Sequence, residues 1–170
     1  TGCSIGGTNF TPYVKLLGPH GLNIPHVILT DRDPIAGREP LVRRRLINIL
    51  GVLEGDVDHD DMDTDEVIAR AGEYGCFVNE ITLEPELFTG GLAEAMQSVI
   101  ERELSLAQGT LDRIRAWVDD TDQLDIVRLL KLIERIGKGR FAQALAPSVS
   151  EDNCPDYIRE ALEYICDAVT

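Results

Sequence analysis

Two aspartates one residue apart, Asp31 and Asp33, close the stretch His26-Val-Ile-Leu-Thr-Asp-Arg-Asp-Pro34. The apolar run before them, ended by proline, reads as a buried strand of a parallel sheet. Both carboxylates then sit at or just past the strand's carboxyl end, the edge at which open α/β sheets bind ligands. Carboxylates this close repel each other, and a buried unpaired one is costly. A hard divalent cation removes both costs, and Mg2+ is usually held by one or two carboxylates with water and phosphate. The bland alternative is an Asp-rich turn closing a strand, with Asp33 solvated. A second acidic segment, Glu80-Ile-Thr82-Leu-Glu84-Pro-Glu86, follows another apolar run, Gly75-Cys-Phe-Val-Asn79. If those two runs are neighbours in a parallel sheet, both acidic ends share one edge. The basic segment Gly137-Lys138-Gly139-Arg140-Phe141 is not a P-loop, which needs Gly-x4-Gly-Lys-Ser/Thr. By itself it reads as a solvated turn between helices.

The elements that position these residues begin with a short strand over Thr1 to Ile5. The tight turn Gly6-Gly7 follows, with a helix cap at Thr8 or Asn9. Phe10, Tyr13, Val14 and Leu17 have helical spacing, and Gly18-Pro19-His20-Gly21 stops that helix. Strand, turn, helix and the strand ending at Thr30 form a βαβ unit, expected to be parallel and right-handed. The Gly6-Gly7 turn either lets backbone approach a phosphate or is a tight turn only. Leu41 to Leu53 is a basic amphipathic helix. Its Arg43-Arg44-Arg45 run faces DNA or pairs with the acids that follow, a solvated face being the default. Glu54 to Glu66 holds eight acids and no Lys or Arg. Counted from Asp56, the EF-hand frame fails at Asp61 and Val67, so a mobile solvated loop is expected. Asp63 or Thr64 caps a short helix running to Ala71, and Thr82 with Pro85 marks another helix start. From Leu92 the pattern is helical: Leu92 to Ala107, Leu111 to Val118, Gln123 to Ile136, Phe141 to Ala146 and Pro155 to Val169. Gly109 breaks the first pair, Trp117 is a packing anchor, and Leu129, Leu130, Leu132, Ile133 and Ile136 are core.

The 170 residues, 44% hydrophobic, suffice for one domain with a real core, or one with a helical appendage. A net charge of −14 argues against nonspecific coating of nucleic acid, which needs clustered Lys and Arg. It leaves room for an enzyme that reaches phosphate through metal ions and a few basic residues. No apolar run approaches the roughly 18 residues of a membrane span, and no signal peptide is visible. Cys3, Cys76, Cys154 and Cys166 form no CxxC pair, and buried thiols in a reducing cytoplasm are expected rather than disulfides or zinc. Beginning on Thr1, the chain reads as a piece of a longer protein.

Four segments in order resemble the Toprim domain of OLD-family nucleases. They are Ile5-Gly-Gly-Thr-Asn-Phe10 with Tyr13-Val-Lys-Leu-Leu17, Leu29-Thr-Asp31-Arg-Asp33, Val78-Asn-Glu-Ile-Thr-Leu-Glu84, and Gly137-Lys138-Gly-Arg140-Phe-Ala-Gln143. Pro155-Asp-Tyr-Ile-Arg-Glu-Ala161 is also similar to that family's end. The resemblance implies an α/β fold: a Toprim, Rossmann-like, mostly parallel sheet flanked by helices, followed by a helical C-terminal half. The expected division is a core over 1–90 and a helical part over 91–170 packed on it. It implies metal-dependent cleavage of DNA phosphodiesters with Mg2+ or Mn2+, at a two-metal site in the full-length protein. By position, Asp31, Asp33 and Glu84 match metal-binding acids and Lys138 matches a lysine that stabilises charge at the phosphate. Gly6, Gly7 and Arg140 are read as contacts to DNA or phosphate. The implied partners are DNA and an upstream ATPase domain of the same polypeptide, which alone would use ATP and which could assemble the protein into a homo-oligomer. Members begin with a strand bearing Glu-Gly-x-x-Glu, and this chain starts after it, so the piece alone is expected to cut weakly or not at all. Two other readings stand beside this one. A haloacid-dehalogenase-type phosphatase would use the first Asp as nucleophile, but that family wants Thr or Val where Ile35 stands. A noncatalytic acidic α/β module would bind a protein partner or a nucleotide.

Overall fold

The structure is a computed structural model that describes residues 7–33, 39–55 and 57–170. Among these the chain is mostly helical, with one small parallel sheet. It divides into two compact units, Thr1–Thr82 together with Asp156–Thr170, and Leu83–Pro155. The second unit is thus inserted in sequence before the last helix of the first. The division falls at Thr82, ahead of the expected 90, and the chain's end returns to the first unit.

The first unit contains α1 (Thr11–Leu17), β1 (Ile28–Thr30), α2 (Leu41–Leu53), α3 (Thr64–Gly72), β2 (Cys76–Val78) and α9 (Asp156–Ala168). β1 and β2 pair in parallel, with Ile28 opposite Cys76, Leu29 opposite Phe77 and Thr30 opposite Val78. A parallel pair needs a long crossover, here supplied by α2 and α3. Alternation along the strands sends Ile28 and Cys76 into a core with Val14, Val42, Leu46, Ile49, Leu50, Val67 and Ala71. On the other face Phe77 meets Tyr164 of α9 edge to face, ring centroids 5.8 Å apart. α2 forms because Val42, Leu46, Ile49 and Leu50 recur at helical spacing on one buried face. α3 starts at a capping box in which Asp63 Oδ1 accepts from the Glu66 N–H at 2.9 Å and Glu66 Oε2 accepts from the Asp63 N–H at 2.8 Å. α1 begins at Thr11 with Phe10 before it and no side-chain cap, so Thr8 and Asn9 do not cap it. The strand expected over Thr1 to Ile5, and the βαβ unit it would complete, lie outside the described residues.

The second unit contains α4 (Leu83–Leu87), a wide turn over Phe88–Leu92 kinked at Gly90 and Gly91, α5 (Ala93–Glu103), α6 (Gln108–Asp119), α7 (Ile126–Ile136) and α8 (Lys138–Leu145). Its core gathers Phe88, Met96, Ile100, Ile114, Trp117, Leu129, Ile133 and Phe141. Trp117 is the anchor expected, and Leu129, Leu132 and Ile133 are buried while Leu130 and Ile136 are partly so. Asp125 caps α7, its Oδ1 accepting from the Arg128 N–H at 3.1 Å. Gly109 does not break a helix: it sits in the first turn of α6, and the break falls at residues 104–107. The Lys-Gly-Arg segment is not a loop. Gly137, at φ 93°, ends α7 and starts α8, and Lys138, Gly139 and Arg140 form the first turn of α8.

Candidate functional site

Asp31 and Asp33 do lie past the carboxyl end of β1 in a parallel pair. Each is held through one carboxylate oxygen. Asn79, the residue after β2, donates from Nδ2 to Asp31 Oδ1 at 2.6 Å and accepts from the Arg32 N–H on Oδ1 at 3.3 Å. Its backbone N–H donates to the Thr30 carbonyl at 3.3 Å. Asn79 is 2% exposed, and its amide bonds the end of β1 through both its nitrogen and its oxygen. Arg45 of α2 approaches from the helix side. It donates to Thr30 Oγ1 at 2.5 Å, to the Asp31 carbonyl at 3.0 Å and to Asp33 Oδ2 at 2.8 Å. The Arg45 side chain is 9% exposed, that of Asp33 35%. Asp33 has φ 49°, a left-handed conformation that Asp tolerates better than most residues. Arg32 turns away to Asp65, Nη2 to Oδ1 2.7 Å.

Among the described residues nothing bonds Asp31 Oδ2 or Asp33 Oδ1. Among these residues each aspartate keeps one oxygen unbonded, the kind of donor a hard cation takes when carboxylates bind through single oxygens. Among the same residues no three His, Cys, Asp or Glu side chains come together as a metal cluster. Two carboxylates are a donor set to which a hard cation adds water to fill its shell.

Glu84 and Lys138 belong to the second unit and meet there, Lys138 Nζ 3.0 Å from Glu84 Oε1. Arg140 pairs with Glu103, Nη2 to Oε2 2.6 Å. Cations in a first helical turn oppose the helix field, which favours anions there. Two largely buried carboxylates offset this: the side chains of Glu84 and Glu103 are 14% and 13% exposed while Lys138 and Arg140 remain open to solvent. Gly7 is exposed, with open space where a Cβ would stand. Gly6 lies outside the described residues. The Thr82 hydroxyl is buried and makes no hydrogen bond among them.

The arginine run and the acidic loop differ from their expectation as solvated segments. Arg43 donates to the carbonyls of Asp60 at 2.7 Å and Met62 at 2.8 Å, tying the loop to α2. Glu54 is buried against Arg70, Oε1 to Nε 2.6 Å, and beside His59, Oε2 to Nε2 3.1 Å. Arg45 and Asn79 were the residues not found from sequence. The strand register carries a signal for one of them: with Thr30 opposite Val78, Asn79 must stand beside Asp31.

The parallel strand end with its acid pair defines an α/β protein whose candidate site suits a hard cation. Solved structures of high identity narrow the class. The chain is similar to the C-terminal region of the Xanthomonas campestris pv. campestris OLD protein, at 71% identity over 98% of this chain and 79% of that one, TM-score 0.90. It is also similar to the C-terminal region of the Burkholderia pseudomallei OLD protein, at 57% identity over 99% of this chain and 82% of that one, TM-score 0.94. No protein-family model and no curated protein matches. The chain belongs to the OLD proteins and corresponds to their C-terminal region. Among the described residues no helix is long and apolar enough to cross a membrane.

Proposed function

We propose that this chain is the Toprim-type catalytic part of a DNA endonuclease that hydrolyses phosphodiesters with Mg2+ or Mn2+. The observation that carries the reading is the pair of aspartates at the carboxyl end of β1, each with one oxygen unbonded among the described residues, in a chain of the OLD family. In the reaction water adds to phosphorus and one P–O ester bond breaks, giving a phosphate monoester and a free hydroxyl. When bound, divalent metal supplies Lewis-acid polarisation of the phosphoryl group and eases ionisation of the attacking water. Asp31 and Asp33 would hold it, and the family resemblance implies Glu84 as a further acid for metal in the full-length protein. Lys138, exposed at the start of α8 and steadied by Glu84, offsets charge that develops on the phosphate. Arg140 and the Gly6-Gly7 turn contact the DNA backbone, an arginine fork suiting phosphate oxygens. The partners are DNA and an upstream ATPase domain of the same polypeptide, which alone uses ATP and mediates any self-association. The protein acts in the cytoplasm.

Nicking of supercoiled plasmid by the full-length protein tests this. Nicking is expected in Mn2+, to stop with a chelator, and to fall to background in Asp31→Ala. Lys138→Ala should cut about 100-fold more slowly with unchanged Mn2+ affinity, and the 170-residue chain alone should cut weakly or not at all. Nicking that survives Asp31→Ala would overturn the assignment. An intact full-length protein that never cuts DNA would favour the noncatalytic acidic module.

A further inference from the structure

Beyond the acids themselves, the site has a built frame. Asn79, buried, and Arg45, with a side chain 9% exposed, come from different elements, and each takes one oxygen of a different aspartate. Asn79 is at the carboxyl end of β2, Arg45 in the middle of α2. Both also bind backbone at the end of β1: Asn79 the Arg32 N–H, Arg45 the Asp31 carbonyl. A carboxylate with one oxygen engaged this way is held in orientation, and its other oxygen is the one turned out to meet a cation.

We infer that Asn79 and Arg45 are positioning residues that make Asp31 and Asp33 single-oxygen ligands and thereby set the site's preference for small octahedral cations over Ca2+. This rests on the metal reading of the acid pair given above. Mg2+ and, at similar size, Mn2+ demand near-octahedral geometry, which carboxylates fixed through one oxygen meet. Ca2+ accepts more ligands, a looser arrangement and bidentate carboxylates. Residues that orient metal ligands typically contribute 10- to 100-fold in affinity. Arg45 carries a second consequence. Its cation opposes metal binding by charge, yet its planar fork spans Thr30, Asp31 and Asp33 at once, a geometry a lysine ammonium cannot reproduce. Position and charge therefore predict opposite outcomes when Arg45 is replaced.

The test is titration of the chain with Mn2+, followed by electron paramagnetic resonance, and with Ca2+, followed by calorimetry. The panel is the parent, Asn79→Ala, Arg45→Gln, Arg45→Lys and Asp31→Asn. The expected result is about a tenfold loss of Mn2+ affinity in the first three variants with Ca2+ affinity little changed, so that the Mn2+ over Ca2+ preference falls about tenfold. Arg45→Lys should not rescue. If Arg45→Gln binds Mn2+ more tightly, or Arg45→Lys binds like the parent, Arg45 is a charge and the inference fails. An equal fall for both ions also overturns it, since loosened packing alone does that. Should Asn79→Ala not melt cooperatively, Asn79→Ser keeps a short polar side chain, and the same shift in preference is required of it. Asp31→Asn separates the two claims. Parental Mn2+ binding in that variant sinks the metal reading itself. Loss of binding there, with parental behaviour in the Asn79 and Arg45 variants, sinks only the positioning.

Discussion

The site residues are informative because so few of their polar atoms are left over. Asn79 donates to Asp31 and accepts from the backbone of Arg32, so Asp31 is held by an uncharged, buried group. Another buried residue of the same sheet gives a measurable pH effect. Cys76 starts β2 in the core, and burial raises its thiol from 9.0 to about 12. The unfolded chain loses this proton first as pH rises past 9, so between 9 and 12 the native state binds more protons. Stability from this group is therefore complete below pH 9 and declines by about 1.4 kcal/mol per pH unit above it. Urea melts of the parent and Cys76→Ala at pH 8 and 10.5 check this: the stability gap between them should narrow by about 2 kcal/mol. A constant gap would mean that the thiol is not held from water.

At the scale of elements, what was legible followed from periodic burial. Val42, Leu46, Ile49 and Leu50 mark α2 from Leu41 to Leu53, and the structure has it there. Isolated glycines misled where only tertiary context decides. Gly109 and Gly139 sit in first helical turns, at the edge of a helix and not in its interior, where a glycine costs about 1 kcal/mol. The acidic loop misled differently: summing its like charges ignored Arg43 and Arg70, which reach it from α2 and α3. The aspartate pair was legible because it follows a strand pattern directly. Arg45 was not, because its partners lie 12 to 15 residues away and only the packing of α2 on β1 joins them. One glycine controls how α3 enters β2. Gly75 has φ 78°, and a Cβ there would stand 2.9 Å from Tyr164 Cε1 and 3.2 Å from the His26 carbonyl oxygen. Its own carbonyl accepts from the Ile28 N–H at 2.8 Å, the first bond of the parallel pair. Gly75→Ala should cost about 2 kcal/mol, from the left-handed backbone alone and more if Tyr164 cannot move. A urea melt matching the parent's would show that this joint is slack.

For the whole molecule, the chain's two units divide the candidate chemistry. The first unit contributes the Asp31 and Asp33 edge, closed in sequence by a last helix that follows the entire second unit. The second contributes Glu84 with Lys138, and Arg140 with Glu103, as ion pairs at the start of α8. The net charge of −14 argues against a broad basic surface that would bind phosphate nonspecifically. On the proposed reading the acid pair holds a divalent cation through one oxygen of each carboxylate. Anomalous diffraction from crystals of the chain grown with Mn2+ tests it most directly. A Mn2+ peak is expected about 2.1 Å from Asp31 Oδ2 and from Asp33 Oδ1, with the Asn79 and Arg45 hydrogen bonds intact. A peak away from both aspartates, or one that displaces Arg45 from Asp33, would contradict it.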